Sequence, residues 1–207
     1  MRRIVLFVFV LVMFNSCGFI INPRYVNMSK KTQSKYNVPK LTESKHLFRE
    51  SGPYEIYSTT VKSTRDLIKE SDKPYSLLVF YAHWCAPCHK NMPILNKFDL
   101  HNKDSINLIF ISSSDWLEKD REIDYLRKYK VRNKISLIID YKEYGSEFMN
   151  WNRISNFIHD LVPQEDTQYQ LSNIGLPHYM LFNNRGELLL ETGAPFDIEK
   201  YENLIRF

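Results

Sequence analysis

Between residues 80 and 89 the chain reads Phe-Tyr-Ala-His-Trp-Cys-Ala-Pro-Cys-His, which places Cys85 and Cys88 three positions apart. This stretch continues an apolar run that starts at Tyr75, directly after Pro74. A continuous apolar run bounded by a helix breaker is typical of a strand buried on both faces. We therefore predict that the cysteine pair lies where a central strand ends and the next helix begins.

The predicted place of the pair at a helix start favours reversible disulfide chemistry. Backbone N–H groups in the first turn of a helix have no intrahelical acceptor and stabilise negative charge. They are expected to lower the pKa of the first, more exposed thiol, so Cys85 is the predicted nucleophile and Cys88 the predicted resolving thiol. Pro87 stiffens the loop at little cost, because its missing N–H would have no partner there.

Two other uses of a C-x-x-C pair stay open from the residues alone. A structural zinc site needs two further ligands, but the chain has no second C-x-x-C, and His83 and His89 flank the pair too closely to complete a tetrahedron easily. A purely structural cysteine pair is the other alternative. We expect no metal and no organic cofactor, since a disulfide between Cys85 and Cys88 is itself a redox group.

Composition excludes several classes of protein. The chain has 207 residues, 43% of them hydrophobic, which is enough for one substantial core. Its net charge of +4 comes without a clustered Arg/Lys stripe, so no nucleic-acid partner is predicted. Three cysteines are too few for a disulfide-stapled miniature fold.

The N-terminus is predicted to be a targeting signal. Two arginines precede an apolar run at residues 4–14, which as a helix would rise only about 16 Å, half of a bilayer core. We predict a signal peptide over residues 1–17. Phe14-Asn15-Ser16-Cys17 resembles a bacterial lipoprotein cleavage box, which implies a lipid on Cys17. An uncleaved anchor that extends to Ile21 and simple secretion are alternatives, and all three place the remainder outside the cytoplasm.

Residues 18–50 are predicted to be a flexible tether. Lys, Ser, Thr and Asn dominate this stretch, and hydrophobic periodicity is absent. It is interpreted either as a solvated linker or as a spacer that contacts anionic lipid headgroups.

From residue 51 onward, strand-like and helix-like patterns alternate. The predicted strands are 54–61, 75–82, 106–111, 135–139, 178–183 and 187–191. The predicted helices are 63–69, capped by Ser63, a helix after Cys88, a helix after a capping box of Asp115 and Glu118, 148–161, and 198–205. Asn184-Arg185-Gly186 predicts a hairpin turn with positive φ at the glycine. The order predicts an α/β domain over 51–207, with a mixed sheet covered by helices on both faces.

Three separate motifs resemble the thioredoxin superfamily. Residues 80–88 look like the family's active-site strand and loop, Pro93 matches the proline inside its active-site helix, and Gly175-Leu176-Pro177 looks like its cis-proline loop. The resemblance covers about residues 54–207 and implies a thioredoxin-like thiol–disulfide oxidoreductase. It further implies a cis Pro177 packed against Cys85 and backbone groups of Leu176 that face a substrate. The remaining residues expected to support the site are Trp84, Pro87 and His89.

Within the superfamily, Met92-Pro93 and the targeting signal look most like membrane-tethered thioredoxins, including the reductases of cytochrome c maturation. This implies a periplasmic, membrane-tethered lipoprotein that exchanges thiols with protein disulfides and is re-reduced by a membrane thiol donor. We expect it to act as a reductant. The oxidase or isomerase direction and a redox-inactive binding module are alternatives.

The sequence departs from the family at two acids that are assigned to proton handling. Val79 stands where cytoplasmic thioredoxins have a buried Asp, and Asn91 stands where the cytochrome-maturation type commonly has Glu. His83 or His89 is a candidate replacement base near pH 7. Alternatively, both histidines face solvent and only tune the local field.

The stretch from about 141 to 170 exceeds the family's minimal connection and is rich in aromatic residues. It is interpreted either as a lid or peptide-docking surface near the redox pair, or as an extra helix that covers the sheet. The aromatic residues are Tyr141, Tyr144, Phe148, Trp151 and Phe157.

Overall fold

The protein is described from a computed structural model, which covers residues 38–41, 48–114, 116–144, 150–162 and 174–205. Within these ranges, six strands form one sheet. They are β1 Glu55–Thr59, β2 Tyr75–Tyr81, β3 Ile106–Ser112, β4 Ile135–Ile139, β5 His178–Asn183 and β6 Leu188–Gly193. The signal predicted for 1–17 lies outside the described residues.

Helices connect the strands in the order predicted. They are α1 Val61–Lys69, α2 Ala86–His101, α3 Lys119–Lys128, α4 Tyr141–Tyr144, α5 Asn150–Leu161 and α6 Ile198–Ile205, and a 3-10 turn, Trp116–Glu118, precedes α3. None of the described helices combines the length and the apolar character needed to cross a bilayer.

The sheet is mixed, as predicted. Its strand order is β1-β4-β3-β2-β5-β6. The first four strands in this order run parallel to one another, whereas β5 pairs antiparallel with both β2 and β6. Gly186 has φ +84°, which confirms the predicted hairpin turn.

The alternation of β2 divides the core into two layers. Leu77, Val79 and Tyr81 face one layer, which α2, α3 and α6 cover and which also contains both cysteines of the pair. Leu78 and Phe80 face the other layer, which α1 and α5 cover. Burial on both faces explains the unbroken apolar run at the centre of the sheet.

Two helix starts differ from the predictions. The N-cap of α1 is Thr60, and Ser63, predicted as the cap, instead completes a capping box from the third helical position. The predicted box of Asp115 and Glu118 does not start α3, because the 3-10 turn occupies its place and Glu118 makes no side-chain cap. Asp115 itself lies outside the described residues.

A short segment ahead of β1 runs beside that strand. The N–H of Leu41 donates to the carbonyl of Ser58 at 2.9 Å, and the N–H of Ser58 donates to the carbonyl of Pro39 at 2.8 Å. Residues 38–41 therefore differ from the flexible tether predicted for 18–50. The physical reason is that β1 is an edge strand, whose free backbone groups accept a further strand.

The described part of the 141–170 stretch covers the sheet layer opposite to the cysteines. Ile154, Phe157, Ile158 and Leu161 of α5 are buried in that layer. The ring of Phe157 lies between Phe80, at 6.1 Å, and Tyr144, at 5.3 Å. This favours the covering helix over the lid. Phe148 and the side chains of Tyr141 and Trp151 lie outside the described residues.

We predict that Phe157→Ala lowers the free energy of unfolding by about 3–5 kcal/mol, because it opens a cavity between α5 and the sheet. Urea unfolding of the oxidised protein measures the change. Leu100→Ala, at a side chain that is 63% exposed, is the control and should change stability by no more than about 0.5 kcal/mol. Equal effects of the two substitutions would contradict the placement of α5 in the core.

Candidate active site at Cys85 and Cys88

The cysteine pair lies at the junction of β2 and α2, as predicted. Cys85 is the N-cap of α2, and the two sulfur atoms form a disulfide with an S–S distance of 2.18 Å and a Cα–Cα distance of 5.2 Å. The N–H of Cys88 donates to Sγ of Cys85 at 3.1 Å. Sγ of Cys85 is therefore held at the N-terminus of α2, which is the positive end of the helix dipole.

The relative exposure of the two cysteines is as predicted, although both are buried. Cys85 is 4% exposed and Cys88 1%, so both are buried in the oxidised protein, although Cys85 is the more exposed. The neighbouring Trp84 is 49% exposed and is the large apolar side chain next to the disulfide at the surface. Among the described residues, no cluster of three or more His, Cys, Asp or Glu side chains is arranged to hold a metal ion.

The cis-proline loop adopts the predicted peptide geometry. The Leu176–Pro177 bond is cis, and Leu176 packs against the layer that contains both cysteines. The direct contact of Pro177 with Cys85 stays a prediction. A second cis bond, Ala194–Pro195, was not predicted from the sequence.

Asn91 is a structural bridge. Its side-chain N–H donates to the carbonyl of Pro87 at 2.8 Å, and its Oδ1 accepts from the N–H of Phe196 at 2.8 Å. This buried amide thus ties the active-site loop to the segment after β6. A carboxylate could not donate to Pro87, so the neutral residue fits its place. Val79, the other departure, is buried among apolar side chains.

Both histidines beside the pair are bound within the protein, so the prediction that they only face solvent is wrong. Nε2 of His89 lies 2.7 Å from the carbonyl of His83, and Nδ1 of His89 lies 2.8 Å from the hydroxyl of Tyr129. Nδ1 of His83 lies 2.7 Å from Oε1 of Glu122 and 3.2 Å from Oγ of Ser114. The two rings are partly buried and link the active-site loop to α3.

Sequence reasoning missed Glu122. This carboxylate is fully buried, and its Oε1 also accepts from the backbone N–H of His83 at 3.0 Å. A signal was present in the helical spacing. Glu122 occupies the apolar stripe of α3 together with Tyr125, Leu126 and Tyr129, where a charged residue is unexpected.

The charge of Glu122 reaches two tyrosines of the cysteine-bearing layer. Burial, followed by the charge of Glu122, holds the pKa of Tyr81 well above its usual value. Burial also raises the pKa of Tyr125, with smaller contributions from Tyr129 and Glu122. The rings of Tyr81 and Tyr125 stack with centroids 5.3 Å apart. The carboxylate of Glu122 therefore affects the electrostatics of Tyr81 and Tyr125, which belong to the same core layer as the two cysteines.

Comparison with known proteins agrees with this geometry. A sequence model of the family described as thioredoxin matches residues 53–170 of the chain. The protein therefore belongs to the thioredoxin family, and its fold is the mixed α/β sheet of that family.

Individual relatives are similar over shorter stretches. Thioredoxin Y2, chloroplastic, from Arabidopsis thaliana is 42% identical over 57 residues, which are 28% of this chain and 34% of the relative. Thioredoxin Y1, chloroplastic, from the same plant is 39% identical over 62 residues, 30% of this chain and 36% of the relative. The match thus spans about a third of these curated relatives.

The chain also matches solved structures, at low identity and over longer stretches. StoA from Bacillus subtilis has a TM-score of 0.43 at 21% identity, over 65% of this chain and 84% of that chain. A thiol:disulfide interchange protein from Bacteroides sp. has a TM-score of 0.46 at 16% identity, over 69% of this chain and 76% of that chain.

Proposed function

We propose that this protein is a thiol–disulfide oxidoreductase that exchanges electrons with protein substrates through Cys85 and Cys88. The observation that carries the proposal is the disulfide between these residues at the N-terminus of α2, in a chain of the thioredoxin family. The disulfide is the redox group, so the proposed reaction needs no metal or organic cofactor.

In the proposed reaction, the reduced protein attacks a substrate disulfide. The thiolate of Cys85 bonds to one substrate sulfur, and the other substrate sulfur leaves as a thiolate. Cys88 then loses its proton and attacks Sγ of Cys85, which breaks the mixed disulfide and releases the second substrate thiolate. Two electrons and two protons pass to the substrate, and the Cys85–Cys88 disulfide is left behind.

The surroundings of the disulfide support a polypeptide substrate. Trp84 offers an exposed apolar surface beside it, and the cis-proline loop gives Leu176 a partly buried place against the same layer. We assign Trp84, Leu176 and Pro177 to substrate contact, Pro87 to loop rigidity, and His89 to loop support through the carbonyl of His83.

We expect the wild-type protein to reduce the disulfides of insulin in the presence of dithiothreitol, and Cys85→Ala to fall to the background rate. Cys88→Ala should instead accumulate mixed disulfides on Cys85, because the resolving thiol is gone. The turbidity of reduced insulin measures the rate, and mass spectrometry of trapped adducts names the partner. If wild type and Cys85→Ala both show only the background rate, the protein is a redox-inactive binding module.

We assign the reductant direction because the chain resembles membrane-tethered thiol reductases. Equilibration with defined thiol buffers, dithiothreitol for the low and glutathione for the high potentials, should place the midpoint of the Cys85–Cys88 couple near about −270 mV, as for thioredoxin. A midpoint near about −120 mV, as for a strong periplasmic oxidant, would assign the oxidase direction instead. The fraction of free thiol at each ratio is the measurement.

We place the protein outside the cytoplasm, held to the membrane by a lipid on Cys17, with a membrane thiol protein as its electron donor. The support is the positive, apolar and cysteine-terminated order of residues 1–17. Cells fed a radiolabelled fatty acid should label the wild-type protein and leave Cys17→Ser unlabelled. Equal labelling of both would exclude Cys17 as the lipid site, and absent labelling of both would favour an anchor or secretion.

A further inference from the structure

Glu122 is a buried carboxylate whose hydrogen bonds are made to His83. Ionised carboxylates are costly to bury unless they are paired and hydrogen-bonded. Oε1 of Glu122 meets the backbone N–H and Nδ1 of His83, while Oε2 has no hydrogen-bond partner among the described residues. Both hydrogen bonds of Oε1 therefore go to one residue, His83, which stands two positions before Cys85 in the sequence.

The contacts of His83 determine where its protons lie. An ionised carboxylate only accepts hydrogen bonds, so Nδ1 of His83 carries the proton toward Glu122. Within the described part of the chain, Nε2 of His83 meets no hydrogen-bond partner. In the neutral ring this nitrogen is the one with a free lone pair, and the carboxylate on the opposite nitrogen fixes the tautomer and the orientation of the imidazole.

His89 has a different role, because both of its ring nitrogens are engaged. A carbonyl oxygen only accepts, so Nε2 of His89 donates to the carbonyl of His83, and Nδ1 of the neutral ring accepts from the hydroxyl of Tyr129. Glu122 holds His83 at its N–H and His89 holds it at its carbonyl. His83 is thus held by side chains of α3 and of α2, two positions before Cys85 in the sequence.

We propose that Glu122 and His83 form a carboxylate–imidazole dyad in which Nε2 of His83 takes up the proton of the Cys85 thiol. Glu122 is the positioning residue, which fixes the ring and its tautomer, and His83 is the residue that exchanges the proton. The proposal rests on the proposed function of Cys85 as the nucleophile. It gives the chain a proton acceptor although Val79 and Asn91 supply none.

The protons and electrons of this step balance. The thiol proton of Cys85 moves to Nε2 of His83, directly or through one water, and leaves a thiolate beside an imidazolium. The thiolate then attacks the substrate disulfide, and the substrate sulfur that leaves as a thiolate takes the proton from the imidazolium. His83 returns to its neutral form, and no further oxidant or reductant is needed.

Other ionisable groups face the dyad from each neighbouring element. Glu118 of the 3-10 turn lies 4.0 Å from Nδ1 of His83. Arg153 of α5 is buried and donates to the carbonyl of Ser114, whose hydroxyl contacts the same nitrogen. The remaining groups are Tyr81 of β2, Tyr125 of α3, and His89 with Tyr129.

The pH dependence of the alkylation of Cys85 tests the dyad. The fully reduced, full-length protein is treated with iodoacetamide between pH 5 and pH 10, and mass spectrometry follows the peptide that contains Cys85. An imidazolium beside the thiolate favours the thiolate, so His83→Gln should move the midpoint upward by about one pH unit, which is a tenfold loss of thiolate below the midpoint.

Glu122→Gln distinguishes action through His83 from a direct effect of the charge. If Glu122 acts through His83, the substitution releases the ring and its tautomer and moves the midpoint upward. If the carboxylate acts directly on the thiolate, its removal moves the midpoint downward. The double variant should match His83→Gln alone, because a residue that acts through a partner has no effect once the partner is gone.

A matched control exists in the same domain. His178 and Glu191 form a second imidazole–carboxylate pair, with 2.7 Å between Nε2 and Oε1, on the neighbouring strands β5 and β6. Glu191→Gln should leave the midpoint in place. An unchanged midpoint in His83→Gln, or a downward shift in Glu122→Gln, would overturn the dyad.

The outcome separates this proposal from the proposed function. Alkylation reports the thiolate of Cys85 whether or not the protein reduces protein disulfides. Insulin reduction with unshifted midpoints would retain the enzyme and reject the dyad. Shifted midpoints without insulin reduction would retain the dyad and reject the oxidoreductase. Should Glu122→Gln fail to fold, His83→Gln still tests the proton-exchanging atom.

Discussion

The burial of β2 on both faces is the constraint on which the rest of the structure depends. A strand at the centre of a sheet has its backbone paired on both sides and its side chains packed above and below. β2 pairs with β3 in parallel and with β5 antiparallel, and Phe80 lies opposite His178 in that pairing. The end of β2 therefore adjoins the start of β5. This register brings the cysteine loop and the cis-proline loop to the same edge of the sheet, although about ninety residues separate them.

The helix that follows β2 gives Cys85 an electrostatic environment that favours a thiolate. Because Cys85 is the N-cap of α2, its sulfur sits where helix N–H groups are unpaired, and the N–H of Cys88 already points at it. The side chain of Asn91 donates a hydrogen bond to the carbonyl of Pro87 in this first turn. It also accepts one from the N–H of Phe196, which fixes the turn to the segment after β6. The loop is thus supported by neutral hydrogen bonds on one side. On its other side the loop is supported by the carboxylate of Glu122, which contacts His83, and by His89, which contacts the carbonyl of His83.

Local patterns were sufficient to predict the parts of the fold that depend on neighbouring residues in the sequence. The strands at 135–139 and 178–183 and the helix at 198–205 have the predicted bounds, because each has a clear apolar period and a nearby breaker. The cis Pro177 was predicted from the family motif rather than from local physics. The pairing of residues 38–41 with β1 was missed, since edge pairing depends on backbone groups and leaves little trace in side-chain pattern.

Of the candidate site, the sequence predicts the cysteine pair but not the side chains that contact the loop around it. Glu122 lies 37 positions from Cys85 in the sequence, and nothing local shows that its carboxylate meets His83. Its place on the stripe with Tyr125 and Tyr129 marks it as anomalous, but the partner becomes visible only when α3 packs beside the active-site loop. Asn91 shows the opposite case. The sequence shows only that Asn91 stands where the cytochrome-maturation type commonly has Glu. In the structure its amide donates one hydrogen bond and accepts another, which an ionised carboxylate could not do.

The division of the core into two layers determines which elements lie near the cysteine pair and which lie on the opposite face of the sheet. The enlarged 141–170 stretch places the buried residues of α5 against Phe80 and Leu78, on the layer that excludes the cysteines. The described residues of α5 therefore add buried apolar surface to the layer opposite to the cysteines. α3 lies on the cysteine side, where Glu122 of the helix contacts His83 and Tyr129, the C-cap residue after the helix, contacts His89. If Glu122 and His83 form the proposed dyad, variation in α3 is a direct physical route by which the reactivity of Cys85 is adjusted.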